Sequence, residues 1–157
     1  MFKSLSLREL MDTPLPNLTA QKRLLFRPDL QDVEHVYNLL NEQVFNNVLI
    51  RPNIKLGKCR EYWGMCYGEE KPYNNGTYCR IKLSDKWYCT QWMVTMLAHE
   101  MSHQYQWDIY SHGRKTRVMS HGPSFYRYQL SLYRHNISLK VSYSARLWFK
   151  EQDLFKA

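Results

Sequence analysis

Met96-Leu97-Ala98-His99-Glu100-Met101-Ser102-His103 decides how the chain is read. It carries His-Glu-x-x-His, a spacing that on a helix sets two imidazoles four residues apart on one face, where both can reach a single ion. Glu100 points roughly 100° away from His99 at 3.6 residues per turn. Its carboxylate is then left beside the ion, free to take a proton from water that the metal has activated. Trp92, Met93, Met96, Leu97 and Met101 supply apolar residues at helical spacing, and Thr90 is placed to cap the start. The pattern predicts a core-facing helix with His99 and His103 as zinc ligands and Glu100 as catalytic base. A core built from two satisfied histidines around a glutamate is a poor alternative, because unpaired buried charge is costly.

A catalytic zinc site takes three protein ligands and keeps one position open. The extended motif that adds Gly and His three and six residues past the second histidine is absent, since Gln106 and Ile109 stand there. A carboxylate ligand is also hard to find, because Asp108 is the only acid between Met101 and Lys150. His112 and His121 remain. His112 precedes Gly113 in a polar, basic loop. His121 is followed by Gly122 and Pro123, and Pro123 suits the first turn of a helix. On such a helix His121, Phe125, Tyr128 and Leu132 form one core-facing stripe, which favours His121 as the third ligand.

These residues resemble the SprT-like domain, the metalloprotease domain of bacterial SprT proteins and of the eukaryotic DNA-protein crosslink protease Spartan. The family's His-Glu-Met-x-His is matched by residues 99–103, and its His-Gly-Pro-x-Phe by residues 121–125. Leu39 to Phe45 is similar to the family's first helix and Ile81 to Ser84 to the strand before the active-site helix, so the likeness spans about residues 28 to 140. It implies a zincin-like fold, His99, His103 and His121 as ligands of one catalytic Zn²⁺, Glu100 as base, and substrates that are proteins on or near DNA.

The composition is globular, with 44% apolar and 23% charged residues among 157, enough for one domain with a core. Net charge is +8 and the sequence pI about 9.4, which suits an anionic partner. From Ile109 to Lys150 there is no acid, whereas Arg114, Lys115, Arg117, Arg127 and Arg134 are candidate nucleic-acid contacts, followed by Lys140, Arg146 and Lys150. DNA, single-stranded or structured, is therefore an expected partner beside the protein substrate. Cys59, Cys66, Cys79 and Cys89 lack Cys-x-x-Cys spacing and read as reduced core residues. No run approaches the roughly 20 apolar residues of a membrane span, and Lys3, Arg8 and Glu9 interrupt any signal-like stretch. The expectation is an intracellular protein, cytoplasmic or nucleoid-associated, with no membrane association.

Residues 1–27, broken by Pro14 and Pro16, read as a loosely attached basic arm with one short helix. Residues 28–157 read as the metalloprotease domain, with a core at 28–140, a basic extension at 141–157 that is amphipathic from Arg146, and no zinc ribbon. Asp29 can cap a helix whose stripe is Leu30, Val33, Tyr37, Leu40, Val44 and Val48. Asn53–Leu56, Tyr62–Tyr67 and Thr77–Leu83 alternate as strands, with a hairpin turn at Asn74-Asn75-Gly76. Ile137 to Tyr143 also alternates and reads as a further strand or an extended tail. The fold class is α+β: a small three-stranded antiparallel sheet packed against about three helices. The third strand leads into the zinc helix, so its edge is expected to receive an extended peptide. Tyr62, Trp63, Tyr67, Tyr73, Tyr78, Trp87, Tyr88 and Trp92, interleaved with Arg60, Lys71 and Arg80, could stack bases, although strands and cores hold many aromatics. Tyr105, His112 and Tyr126 are candidates to stabilise the oxyanion. Two functions from different classes fit: a zinc metallopeptidase, and a basic nucleic-acid-binding adaptor whose zinc is structural or silent.

Overall fold

The computed structural model describes residues 4–13, 26–114, 119–141, 144, 148 and 150. Its elements run α1 (Leu7–Met11), α2 (Leu30–Gln43), β1 (Asn53–Gly57), β2 (Gly64–Gly68), β3 (Cys79–Ser84), α3 (Thr90–Tyr105), a π-helical turn (Gln106–Tyr110) and α4 (Gln129–Arg134). The α+β class holds. The sheet is mixed and not wholly antiparallel: its order is β1-β3-β2, with β1 parallel and β2 antiparallel to β3. A parallel pair needs a long crossover, and residues 58–78 provide it while laying β2 on the far side of β3. The third strand is thus central and has no free edge, which removes it as a receiver of substrate.

α3 is the axis of the molecule. Every residue from Gln91 to Ser102 is buried, as expected of a helix covered on all sides, and α1, α2 and β2 pack against it. It starts at Thr90 with Cys89, not Thr90, at the cap. α2 starts where expected: the Asp29 carboxylate accepts from the Asp32 backbone N–H at 2.7 Å and Asp32 returns the bond. It stops at Gln43, because Asn46 and Asn47 take left-handed backbone angles, φ 56° and 58°, leaving Val48 exposed. Of the amino-terminal arm, α1 is docked and not loose, with Leu7 and Leu10 fully buried and a Ser6–Glu9 capping box. Phe26 pairs by a β-bridge with Trp87.

The side of the sheet facing α3 carries Ile54, Ile81 and Leu83, all buried. Most of the tryptophans belong to the core: Trp63 stacks on Trp87 at 5.3 Å, and Trp92 meets Trp63 and Trp148 edge-on. Trp87 and Trp92 are thereby removed as base-stacking surfaces, whereas Tyr67 and Tyr73 stay exposed. All four cysteines are free thiols, Cys79 and Cys89 buried and Cys59 and Cys66 half-buried. Among the described residues no helix is long and apolar enough to cross a membrane. Apart from Trp148, which is buried, and the exposed Lys150, the expected carboxy-terminal helix lies outside the described residues.

A buried polar network fastens the end of α3 to the start of β3. Asp108 accepts from Thr77 Oγ1 at 2.6 Å, the Tyr78 backbone N–H at 2.8 Å and Gln104 Nε2 at 2.9 Å, while Gln104 Oε1 accepts from the Tyr37 hydroxyl at 2.7 Å. Asp108→Ala strands three donors in a dry site. A loss of about 3 kcal/mol in unfolding free energy is expected, read by denaturant titration, with the secondary structure retained.

Candidate metal centre

Three histidines converge although they come from two distant segments. His99 and His103 stand one helical turn apart on α3, and His121 arrives from the loop before α4. One ligating atom of each lies within 4.8 Å of the others, and the ring centroids are 4.9 to 5.6 Å apart. The helix expected at Pro123 does not form there. Residues 119–129 are instead a chain of tight turns, with N–H groups of Gly122, Phe125, Tyr126 and Arg127 bonded three residues back, and the regular helix begins only at Gln129. Phe125 and Leu132 are buried as expected, and the Phe125 ring packs against all three histidines at 4.6 to 4.9 Å.

Burial sets the protonation states. Desolvation first, then the neighbouring His103 and His121, pushes His99 down to about 3. Desolvation likewise pushes His103 down to about 4, and lowers His121. All three are neutral at physiological pH, with lone pairs available to a cation. Glu100 is buried beside them, its Oε2 4.0 Å from His99 Nε2. Desolvation raises its carboxyl to about 8, against the backbone of Cys66, which hydrogen-bonds it and lowers it. A general base poised near the working pH is the condition for efficient proton transfer.

The residues fit a zinc ion. His121 Nε2 is buried without a hydrogen-bond partner, and a buried polar atom of that kind requires an ion or water to satisfy it. Three neutral imidazoles and no carboxylate ligand form a donor set that Zn²⁺ accepts. The other faces of two ligands are held from behind: the backbone of Lys140 bonds the His99 ring, and Gln106 Oε1 lies 2.9 Å from His103 Nδ1. Neither Lys140 nor Gln106 stands out in the sequence, although Gln106 follows His103 by three residues, a spacing that places side chains on one helix face.

A cavity of about 410 Å³ opens on the cluster, lined by Gly64, Met65, Cys66, His99, Glu100, His103, Trp107, Ser120, His121 and Val141. The glycines of β2 permit this closeness. A Cβ at Gly64 would lie 2.8 Å from Leu83 Cδ2 and 3.2 Å from Glu100 Cγ, and one at Gly68 only 2.0 Å from the Trp107 indole. Glycines inside a strand are the sequence signal for such an approach.

These observations meet in one comparison: the model of the SprT-like family matches residues 33–143, more than two thirds of the chain. The protein belongs to the SprT-like family. That family is associated with metalloprotease activity, and the histidine cluster of this SprT-like chain fits its zinc site. Comparison with curated proteins returns no match.

Other expected residues fall elsewhere. None of Tyr105, His112 and Tyr126 lines the cavity: Tyr105 packs on Tyr128, Tyr126 on Phe125, and His112 is exposed in a turn at φ 50°. Arg114, Arg127 and Arg134 are exposed, and Lys115 and Arg117 lie outside the described residues. Ile137 and Leu139 are buried in alternation with Ser138 and Lys140, but without strand pairing; Ser142 and Tyr143 lie outside the described residues.

Proposed function

We propose that the protein is a zinc-dependent endopeptidase, with His99, His103 and His121 holding the ion and Glu100 as base. The observation that carries this reading is the open cavity in which three neutral imidazoles and a desolvated carboxyl face the same space. A structural zinc is closed by a fourth protein ligand, and among the described residues the cluster has three. Zinc, when bound, supplies a Lewis acid that polarises a carbonyl and lowers the pKa of water. Glu100 takes the proton from the attacking water, holds it on its carboxyl in a site shielded from solvent, and delivers it to the leaving amine.

Substrate enters along β2, which has the free edge that β3 lacks. Trp63 C=O and Glu69 N–H bond toward the β3 side, to Ser84 and Tyr78. By antiparallel alternation the backbone groups of Gly64, Cys66 and Gly68 therefore face away from β3; Gly64 and Cys66 line the cavity, where the Cys66 backbone already bonds Glu100. An extended peptide added there lays its backbone across the histidine cluster. Methylating single amides of a peptide substrate is expected to raise KM about fivefold at alternate positions and to leave the intervening ones unchanged, since each lost backbone bond costs roughly 1 kcal/mol. Uniform insensitivity in steady-state kinetics rejects strand addition.

The preferred substrates in this reading are proteins bound to DNA, as the family likeness and the charge of +8 suggest. Exposed Arg114, Arg127 and Arg134 supply phosphate contacts, and the outer face of the sheet adds Lys55, Arg80 and Lys82, with the Arg80 guanidinium 5.2 Å from the Tyr67 ring. Removing Arg127 and Arg134 together is expected to flatten the log–log salt dependence of single-strand binding by about 1.4, near 0.7 per contact. An unchanged slope takes these two residues out of the interface. Cleavage of a DNA-binding protein that is not accelerated by DNA leaves a peptidase without a DNA role.

A further inference from the structure

We propose that Gln106 is a positioning residue that locks two of the three histidines into one unit, an inference that rests on the zinc reading above. Gln106 is wholly buried at the first position of the π-helical turn and does not line the cavity, so it acts through its neighbours and not on substrate. Its Nε2 lies 2.8 Å from the Met119 carbonyl and 3.0 Å from Ser124 Oγ, and its Oε1 lies 2.9 Å from His103 Nδ1. A carbonyl can only accept, so Met119 dictates which end of the amide faces it. Oε1 is thereby turned to His103, and it too can only accept. His103 must then carry its proton on Nδ1, which leaves the Nε2 lone pair for a metal.

The same side chain bonds residues on both sides of His121, Met119 and Ser124. His121 has no regular helix to hold it, and its segment is built of tight turns. Gln106 therefore does two things with one amide: the oxygen selects the tautomer of the second histidine, and the nitrogen fastens the segment that brings the third. His103 on α3 and Gln106 at the start of the turn that follows, four and seven residues past His99, are thus coupled to a loop that sequence distance separates from them.

Glutamate and leucine at this position part the two functions. A carboxylate still accepts from His103 Nδ1–H but cannot donate to the Met119 carbonyl, which it repels; leucine keeps the volume and does neither. Zinc affinity of the full chain, measured by competition with a chromophoric chelator, is expected to fall about 10–100-fold in Gln106→Leu, which loses the bonds of both amide ends, and by less than about tenfold in Gln106→Glu, which loses only the fastening of the His121 segment. Thermal unfolding of the metal-free proteins should run the other way, with Gln106→Glu at least as destabilised as Gln106→Leu. A purely structural role makes affinity follow stability. The visible bands of the Co²⁺-substituted protein should weaken and shift in Gln106→Leu and persist in Gln106→Glu. If Gln106→Leu does not fold, Gln106→Glu decides alone: a loss of affinity of less than about tenfold despite a lower Tm supports the assignment, and a loss of tenfold or more overturns it. Gln106→Leu binding zinc as tightly as wild type also overturns it, whereas a wild-type protein that takes up no zinc removes the metal reading itself.

Discussion

Glu100→Gln is expected to bind zinc as the wild type does and to lose peptide hydrolysis by about 10²–10⁴-fold, the usual share of a general base. The substitution is nearly isosteric, keeps a carbonyl oxygen to accept from the Cys66 backbone, and removes only the capacity to take and return a proton. Zinc content by elemental analysis and turnover of an unstructured protein substrate are the two measurements, and retained turnover removes Glu100 as base. The substitution also has a signature without metal. Glu100 is raised in the fold from 4.5 to about 8, so between those pH values the folded chain keeps a proton that the unfolded chain gives up. Stability of the metal-free protein therefore falls as pH rises through that window. His99 and His103 run oppositely: lowered from 6.5 to about 3 and about 4, they make the unfolded chain the better proton binder and raise stability as pH climbs toward 6.5. Unfolding curves at pH 7 and pH 8, above the range in which the histidines act, should show the alkaline decline in wild type and its loss in Glu100→Gln.

Local patterns make the helix α3, the Asp29 cap, the three strands and the histidine trio legible in the sequence. Each depends on residues a few positions apart, or, for His121, on a Gly-Pro signature and a family likeness. Strand order was not legible in the same way. Alternation in Cys79–Leu83 says which side chains face the core, but the same alternation serves a central strand or an edge, and a parallel or an antiparallel neighbour. The segment from His121 to Tyr128 has helical spacing of apolar residues and still forms tight turns, in which Gln106 bonds Met119 and Ser124 and the Phe125 ring packs on His121. Asp108 stood out in the sequence as the one acid of a basic half. Gln104 stands one helical turn before it, but Thr77 and Tyr78 are 31 and 30 residues away, and nothing in local spacing connects those two to it.

His121→Ala is the second large effect, and it separates a site assembled in space from a motif read in one helix. His99 and His103 alone offer two nitrogens, and a structural or catalytic zinc held by two imidazoles is weak. Structural zinc in finger peptides draws roughly 10–16 kcal/mol from four donors, and on that scale losing one of the three here is expected to weaken binding on the order of 10²–10³-fold. The backbone should tolerate the change, because His121 is half-buried and Phe125 and Leu132 hold the segment to the core. His112→Ala is the matched control: a histidine on the same stretch of chain, exposed at a left-handed turn and outside the cluster, whose loss should leave affinity unchanged. Chelator competition on both variants gives the comparison directly. Equal affinity in wild type and His121→Ala reduces the cluster to a packing arrangement, and with it the argument that the cavity beside Glu100 is a place where peptide bonds are broken.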